Sequence, residues 1–230
     1  MAILSGSPPV EVHLKRSARA RRFSLRVSRL DGKVTLSMPA RAREGEALAF
    51  LKGNEDWLRQ TLSAMPDPAL RPIGPGSVIP VEGRDLVVTP ATGRGVRVEG
   101  DHLLVPGNSA TMGPRVAAWL KVLARDRLAA ASTRYAGQVG RSYATLAIRD
   151  TRSRWGSCSP DGRLMYSWRL IMAPPAVLDY VAAHEVAHLV ELNHSAAYWA
   201  IVTRICPDWK VHRAWLRTHG STLHRVRFQD

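Results

Sequence analysis

The stretch D-Y-V-A-A-H-E-V-A-H-L-V-E-L-N-H-S, residues 179–195, decides how the rest of the chain is read. His184 and His188 stand at i and i+4 with Glu185 beside the first of them, among the apolar residues Val181, Ala182, Ala183, Val186, Ala187, Leu189 and Val190. On a helix, four residues turn the chain by about 400°, so the two imidazoles lie about 40° apart and about 6 Å along the axis, a separation that two zinc–nitrogen bonds close. Glu185 cannot reach the same ligand position, but it can accept a proton from a water activated by the metal. Two imidazoles and a carboxylate without partners would be costly in so apolar a helix, and a metal removes that cost.

His194 comes six residues after His188. On an unbroken helix it would sit about 9 Å further along the axis and about 120° away, out of reach of a shared ion. The helix is therefore expected to end before it. Asn193 tolerates the left-handed conformation of a helix terminus and Ser195 is a preferred N-cap, so a tight turn over 193–195 is expected to swing His194 back. Three protein ligands and one open position describe a catalytic zinc better than a structural one. The expected site is thus zinc on His184, His188 and His194, with Glu185 as general base.

Working outward, Pro174 and Pro175 suit the first turn of this helix, which is expected to run on from Val177 to Leu192. Before it lie an expected strand at Thr145 to Arg149 and a hairpin turning at S-P-D-G (Ser159 to Gly162), with its second strand at Leu164 to Leu170. After it, helices are expected over Ala196 to Ile205 and Trp209 to Thr218. A long helix begins near Gly113, with Val116, Leu120, Leu123, Leu128 and Tyr135 on one stripe. The N-terminal side reads differently. V-E-V-H-L, F-S-L-R-V-S and K-V-T-L-S-M suggest a small antiparallel sheet with a turn at Asp31 and Gly32, followed by one amphipathic helix from Arg43 to Ala64, bent near Gly53. A proline-rich linker, Met65 to Ser77, leads to further strands over Val78 to Val105. No internal repeat is found in the sequence. The fold class expected is α+β: a β-rich N-terminal region (1–110), then a zincin-like C-terminal domain (111–230) with a β-hairpin beside the zinc-binding helix.

Composition narrows the function classes. The 230 residues, 45% apolar, suffice for a buried core. No apolar run approaches the roughly 18 residues of a membrane span, so no membrane association is expected. The N-terminus lacks the pattern of a secretory signal, and Cys158 and Cys206, 48 positions apart, offer no disulfide framework. A cytoplasmic protein is expected. The net charge of +14 favours an acidic partner such as a nucleotide or nucleic acid, with Lys15, Arg16, Arg19, Arg21, Arg22, Arg26 and Arg29 as the densest basic cluster. Phe23, Leu25 and Val27 alternate with it, as on a strand with a basic outer face, and no aromatic ladder for stacking bases accompanies it.

The chain also resembles the YgjP-like metallopeptidase family, related to the WLM and SprT-like zincins. The resemblance is carried by R-S-R-W-G-S-C-S (152–159), W-R-L-I-M-A-P-P (168–175), D-Y-V-A-A-H-E-V-A-H-L (179–189), N-H-S-A-A-Y-W (193–199) and C-P-D-W-K-V-H-R-A-W-L (206–216). R-S-A-R-A-R-R-F-S-L-R-V (16–27) is similar to the opening of that family. The resemblance implies zinc on His184, His188 and His194, and catalysis by Glu185. Metzincins share the spacing to the third histidine, but they carry glycine where this chain has Glu191, and no methionine follows His194 to form a Met-turn.

Around the site, R-S-R-W-G-S-C-S is expected to form a strand whose open edge pairs with an extended substrate, with Trp155 packed on the helix. Arg152, Arg154, Trp155 and Tyr198 are the candidate substrate-binding residues, the arginines against developing negative charge. Trp199 is expected in the core. Cys158 is not expected to act as a nucleophile, since a small apolar role is the commoner fate of a lone cysteine. Asp179, Glu191 and Asp208 are candidates to orient the histidines. The first functional reading is a zinc metallopeptidase acting on a polypeptide. Its alternative keeps the metal and base but hydrolyses a phosphoanhydride such as a nucleoside triphosphate, and a third is a nucleic-acid-binding module with structural zinc.

Overall fold

The computed structural model describes residues 2–28, 32–63 and 72–228. By its contacts the chain divides into two compact units, residues 1–70 and 71–230.

The first unit runs β1 (Ala2–Leu4), β2 (Val10–Ser17), β3 (Ser24–Val27), β4 (Val34–Pro39), α1 (Glu44–Gly53) and α2 (Glu55–Ser63). Its sheet is mixed where an antiparallel one was expected, in the order β1-β2-β4-β3. The β3–β4 hairpin inserts β4 between β2 and β3, so β4 lies parallel to β2 in the register Val12↔Val34 to Ser17↔Pro39. Strand alternation selects the core: Val34, Leu36 and Met38 of β4 are buried and join Val10 and Val12 of β2. Ala47, Leu51 and Leu58 of the helices close this core. The helical region is broken at Asn54, whose backbone N–H bonds the Leu51 carbonyl while its side chain donates to the Phe50 carbonyl at 2.8 Å. Lys15, Arg16, Arg19, Arg21, Arg22 and Arg26 are exposed, as expected of a basic outer face. Arg16 donates to the carbonyls of Ala40 and Ala42. Arg29 and Asp31 lie outside the described residues.

The second unit opens with β5 (Val78–Val81), β6 (Arg84–Ala91), β7 (Arg97–Glu99) and β8 (His102–Pro106), ordered β5-β6-β8-β7. Each pairing matches its counterpart in the first sheet: antiparallel, parallel, antiparallel. The topology thus occurs twice, each time followed by helix, although the sequence carries no repeat. Ile79, Val88, Leu103 and Val105 share a core with Leu120 and Leu128 of the long helix α3 (Ser109–Gln138) and with Val181 and Val186 further on.

Next come β9 (Thr145–Arg149), β10 (Gly156–Cys158) and β11 (Arg163–Ser167), in the sheet order β10-β11-β9, with β10 at an edge. The expected strand to Leu170 stops at Ser167, because Trp168–Met172 winds into a 3₁₀ turn that buries Trp168, Leu170, Ile171 and Met172 together. The helix of the motif, α4 (Pro175–Ala187), begins with Pro174 as N-cap and Pro175 in its first turn. It packs against α3, β10, α5 (Ala196–Ile205) and α6 (Trp209–His219), which explains why it is apolar on every face. The β5–β6 turn braces its start: Gly83, at φ 77°, lies so close to Pro174 that a Cβ would come within 3.0 Å of the Pro174 Cα. No helix among the described residues is long and apolar enough to cross a membrane.

Candidate metal centre

His184 projects from the last turn of α4, and His188 is the helix's C-cap with φ −68° and ψ −14°. The helix ends five residues short of Leu192 by tightening: the N–H groups of His188, Leu189 and Val190 bond the carbonyls three residues back, those of Glu185, Val186 and Ala187. Among the described residues only Glu82 is a non-glycine at positive φ, so Asn193 does not adopt the left-handed conformation expected of it. The turn is held by side chains instead. Asn193 donates to the Glu191 carboxylate at 2.8 Å, and Nδ1 of His188 lies 3.0 Å from the Glu191 carbonyl oxygen. Ser195 then caps α5 as expected, accepting from the Tyr198 backbone N–H at 3.2 Å.

The result brings the three histidines together: one ring nitrogen from each of His184, His188 and His194 lies within 4.8 Å of the others. The Nε2 atoms of His184 and His194 are 3.2 Å apart. Two nitrogens on a tetrahedral zinc, each about 2.05 Å from the metal, stand about 3.3 Å apart, so the donor set and its spacing fit this ion. The hydrogen bond on Nδ1 of His188 leaves that ring's Nε2 for a metal, and the backbone carbonyl orients the ring as outer partners of metal-bound histidines do. His184 is pushed down to about 3, first by burial and then by the charges of His188, His194 and Arg213. Burial also lowers His188. Both rings are therefore neutral at ordinary pH, the form that binds a metal. Nδ1 of His184 is buried and has no hydrogen-bond partner among the described residues.

Glu185 is 6% exposed and lies against β10. A Cβ on Gly156 would stand 2.6 Å from its Cγ and its Oε1, so only glycine lets the edge strand approach this closely. Burial pushes Glu185 up to about 8, and the charge of Arg154 opposes that rise. Gly156 was not singled out in the sequence; a lone glycine inside the segment read as a strand was the available signal.

Tyr198 and Trp199 exchange their expected places. Tyr198 has no exposed surface, stacks on His188 with ring centroids 4.5 Å apart, and donates its hydroxyl to the His184 carbonyl at 2.9 Å. Buried there, it supports both His184 and His188. Trp199 is only partly buried, and with Trp209, Arg213, His184 and His194 it lines a cavity of about 450 Å³. Arg152 and Arg154 are exposed in the turn before β10, where the Thr151 hydroxyl donates to the Arg154 carbonyl. Trp155 lies against His224, with ring centroids 5.0 Å apart and planes tilted by 30°, and packs on Gly220. Asp179 pairs with Arg134, and no bond joins Asp179 or Asp208 to a histidine of the triad among the described residues. Burial pushes the Cys158 thiol up to about 11, which agrees with its expected inertness as a nucleophile.

Comparison with curated proteins finds no match, and neither does comparison with solved structures. The family model described as YgjP-like, metallopeptidase domain, matches residues 21–219, a span that takes in the histidine triad, Glu185 and most of the first unit. With 199 of 230 residues matched, the chain belongs to the YgjP-like metallopeptidase family.

Proposed function

We propose that the protein is a zinc-dependent peptidase that hydrolyses polypeptides without a covalent intermediate. The observation that carries this reading is the convergence of three imidazoles next to a buried carboxylate beside an edge strand. His184, His188 and His194 would hold the zinc. When bound, zinc supplies a Lewis acid that acidifies water and polarises the scissile carbonyl.

The protein's own residues do the rest. Glu185 takes the proton of the attacking water on its carboxylate and delivers it to the leaving amine. The charge of Arg154 opposes the rise that burial imposes on Glu185, and so favours the carboxylate form that acts as a base. The unpaired edge of β10 offers backbone groups to an extended chain, which would lie across Glu185 because Gly156 leaves no side chain between them. Arg154, exposed and electrostatically coupled to Glu185, is placed to face the negative charge that develops on the carbonyl oxygen. Arg152, exposed in the same turn, would add a second cation to that side of the site. The two free cysteines suit a reducing compartment such as the cytoplasm.

The test is to incubate the zinc-loaded protein with an unfolded polypeptide and, separately, with nucleoside triphosphates, comparing wild type with Glu185→Gln. The expected result is peptide cleavage that falls by about 10²–10⁴-fold in the variant while zinc stays bound. Glu185-dependent release of pyrophosphate with no peptide cleavage would replace this reading by the phosphoanhydride one.

A further inference from the structure

The cavity beside the triad has an unusual wall. Trp199 of α5 and Trp209 of α6 stack with centroids 4.3 Å apart and planes 22° from parallel. The guanidinium of Arg213, one turn along α6 from Trp209, lies 5.3 Å from the Trp199 ring centre and 5.9 Å from that of Trp209. The Trp209 indole is fixed in turn by its N–H, which donates to the Thr203 hydroxyl at 3.0 Å. The other side of the cavity is His184 and His194. A cation is thus held on an aromatic surface directly beside the metal ligands.

Its charge is not matched from within. Among the described residues no carboxylate forms an ion pair with Arg213, although Arg59, Arg84, Arg97, Arg127, Arg134, Arg163 and Arg169 each have one. A cation next to a dication site raises the cost of metal binding unless an anion comes between them. Arg213 therefore makes physical sense as a receptor for an anion that arrives with the substrate. A planar guanidinium laid on indole rings is preorganised for the two oxygens of a carboxylate. The indole faces suit the methylene stem that carries such a group. One guanidinium between two apolar walls does not supply the several donors and cations that a polyphosphate takes.

We propose that Trp199, Trp209 and Arg213 form a specificity pocket for a substrate carboxylate next to the scissile bond, from an acidic side chain or from the chain's C-terminus. The proposal rests on the peptidase reading, so its test separates binding from turnover. Zinc-loaded Glu185→Gln protein is titrated, by indole fluorescence, with a blocked peptide containing a central glutamate and with its glutamine and lysine counterparts. A fourth peptide has glutamine and a free C-terminal carboxylate. The expected result is binding at least about tenfold tighter for one of the two carboxylate peptides than for the neutral blocked one, and which of them prevails identifies the source. Adding Arg213→Gln brings that ratio to about one, and Arg213→Glu turns the preference toward the lysine peptide, a reversal that mere loss of packing would not produce. Equal affinities for all four peptides, or equal loss for all of them on changing Arg213, overturn the proposal. Absence of cleavage by the wild type, with the binding preference intact, counts against the peptidase reading alone.

Discussion

A carboxyl group as buried as Glu185 keeps its proton far above the ordinary carboxylate range, and burial pushes it up to about 8 from 4.5. In the metal-free protein the folded state therefore holds a proton that the unfolded chain has released. Its stabilising contribution is complete below about 4.5 and is lost as pH rises through about 8. His184 and His224, pushed down to about 3 and about 4, act only below their ordinary 6.5 and leave the window above it to Glu185. From about pH 6.5 to about pH 8.5 the metal-free protein is expected to lose about 2 kcal/mol, seen as a lower melting temperature, and Glu185→Gln is expected to abolish the difference. A variant that melts with the same pH dependence as wild type would refute this. Gly156→Ala tests the same carboxylate by geometry. A methyl group 2.6 Å from Oε1 displaces it, so kcat is expected to fall about 10²-fold while the protein still binds one equivalent of zinc. These residues differed in how far the sequence disclosed them. Spacing placed His184, His188 and Glu185 together and required the helix to end before His194, because helix periodicity sets direction. It could not tell Tyr198 from Trp199, since adjacent residues on α5 differ in depth, and depth is set by what the helix packs against.

At the scale of elements, the turn between α4 and α5 converts sequence spacing into a metal site. That the helix had to stop before His194 was legible, as was the Ser195 cap, because each follows from geometry or from the chemistry of one hydroxyl. Where it stops was not legible. Leu189 to Leu192 is as helix-compatible as what precedes it, and the stop at Ala187 comes from 3₁₀ bonding together with the His188, Glu191 and Asn193 contacts. The mixed sheets were missed for a similar reason: alternation identifies a strand but not its neighbour. The cap gives a test of this element. Ser195→Ala removes the acceptor of the Tyr198 N–H and is expected to cost about 1 kcal/mol in the melting of the metal-free protein. Because His194 then has to be ordered when the metal binds, zinc affinity, measured by competition with a chelator, is expected to fall about tenfold. Unchanged affinity would mean that His194 is positioned without its neighbour's cap.

Over the whole molecule, one topology is used twice to different ends. The first four-stranded sheet closes its own core with α1 and α2. The second shares its core with α3 and α4, so it supports the helix that carries His184 and Glu185. The main core is drawn from Ile73 to Phe228, and the smaller core of the first unit from Leu4 to Leu58. Every residue of the candidate site lies in the second unit, residues 71–230. A chain of residues 71–230 therefore retains the complete main core, about 160 residues long, within the range where a single domain folds alone. It is expected to melt cooperatively, to bind one equivalent of zinc through His184, His188 and His194, and to cleave short peptides at a rate within about twofold of the full chain. Metal analysis, calorimetry and peptide kinetics on the two chains check this. The family match begins at residue 21, well inside the first unit, so that unit is part of what the family preserves. Its exposed arginines are far more numerous than folding requires, and their contribution is expected on long or acidic substrates. For these, cleavage by the full chain should exceed that by residues 71–230 and lose its advantage as salt is raised toward about 1 M, where screening is nearly complete. An advantage that salt leaves untouched would assign the first unit a role other than electrostatic capture.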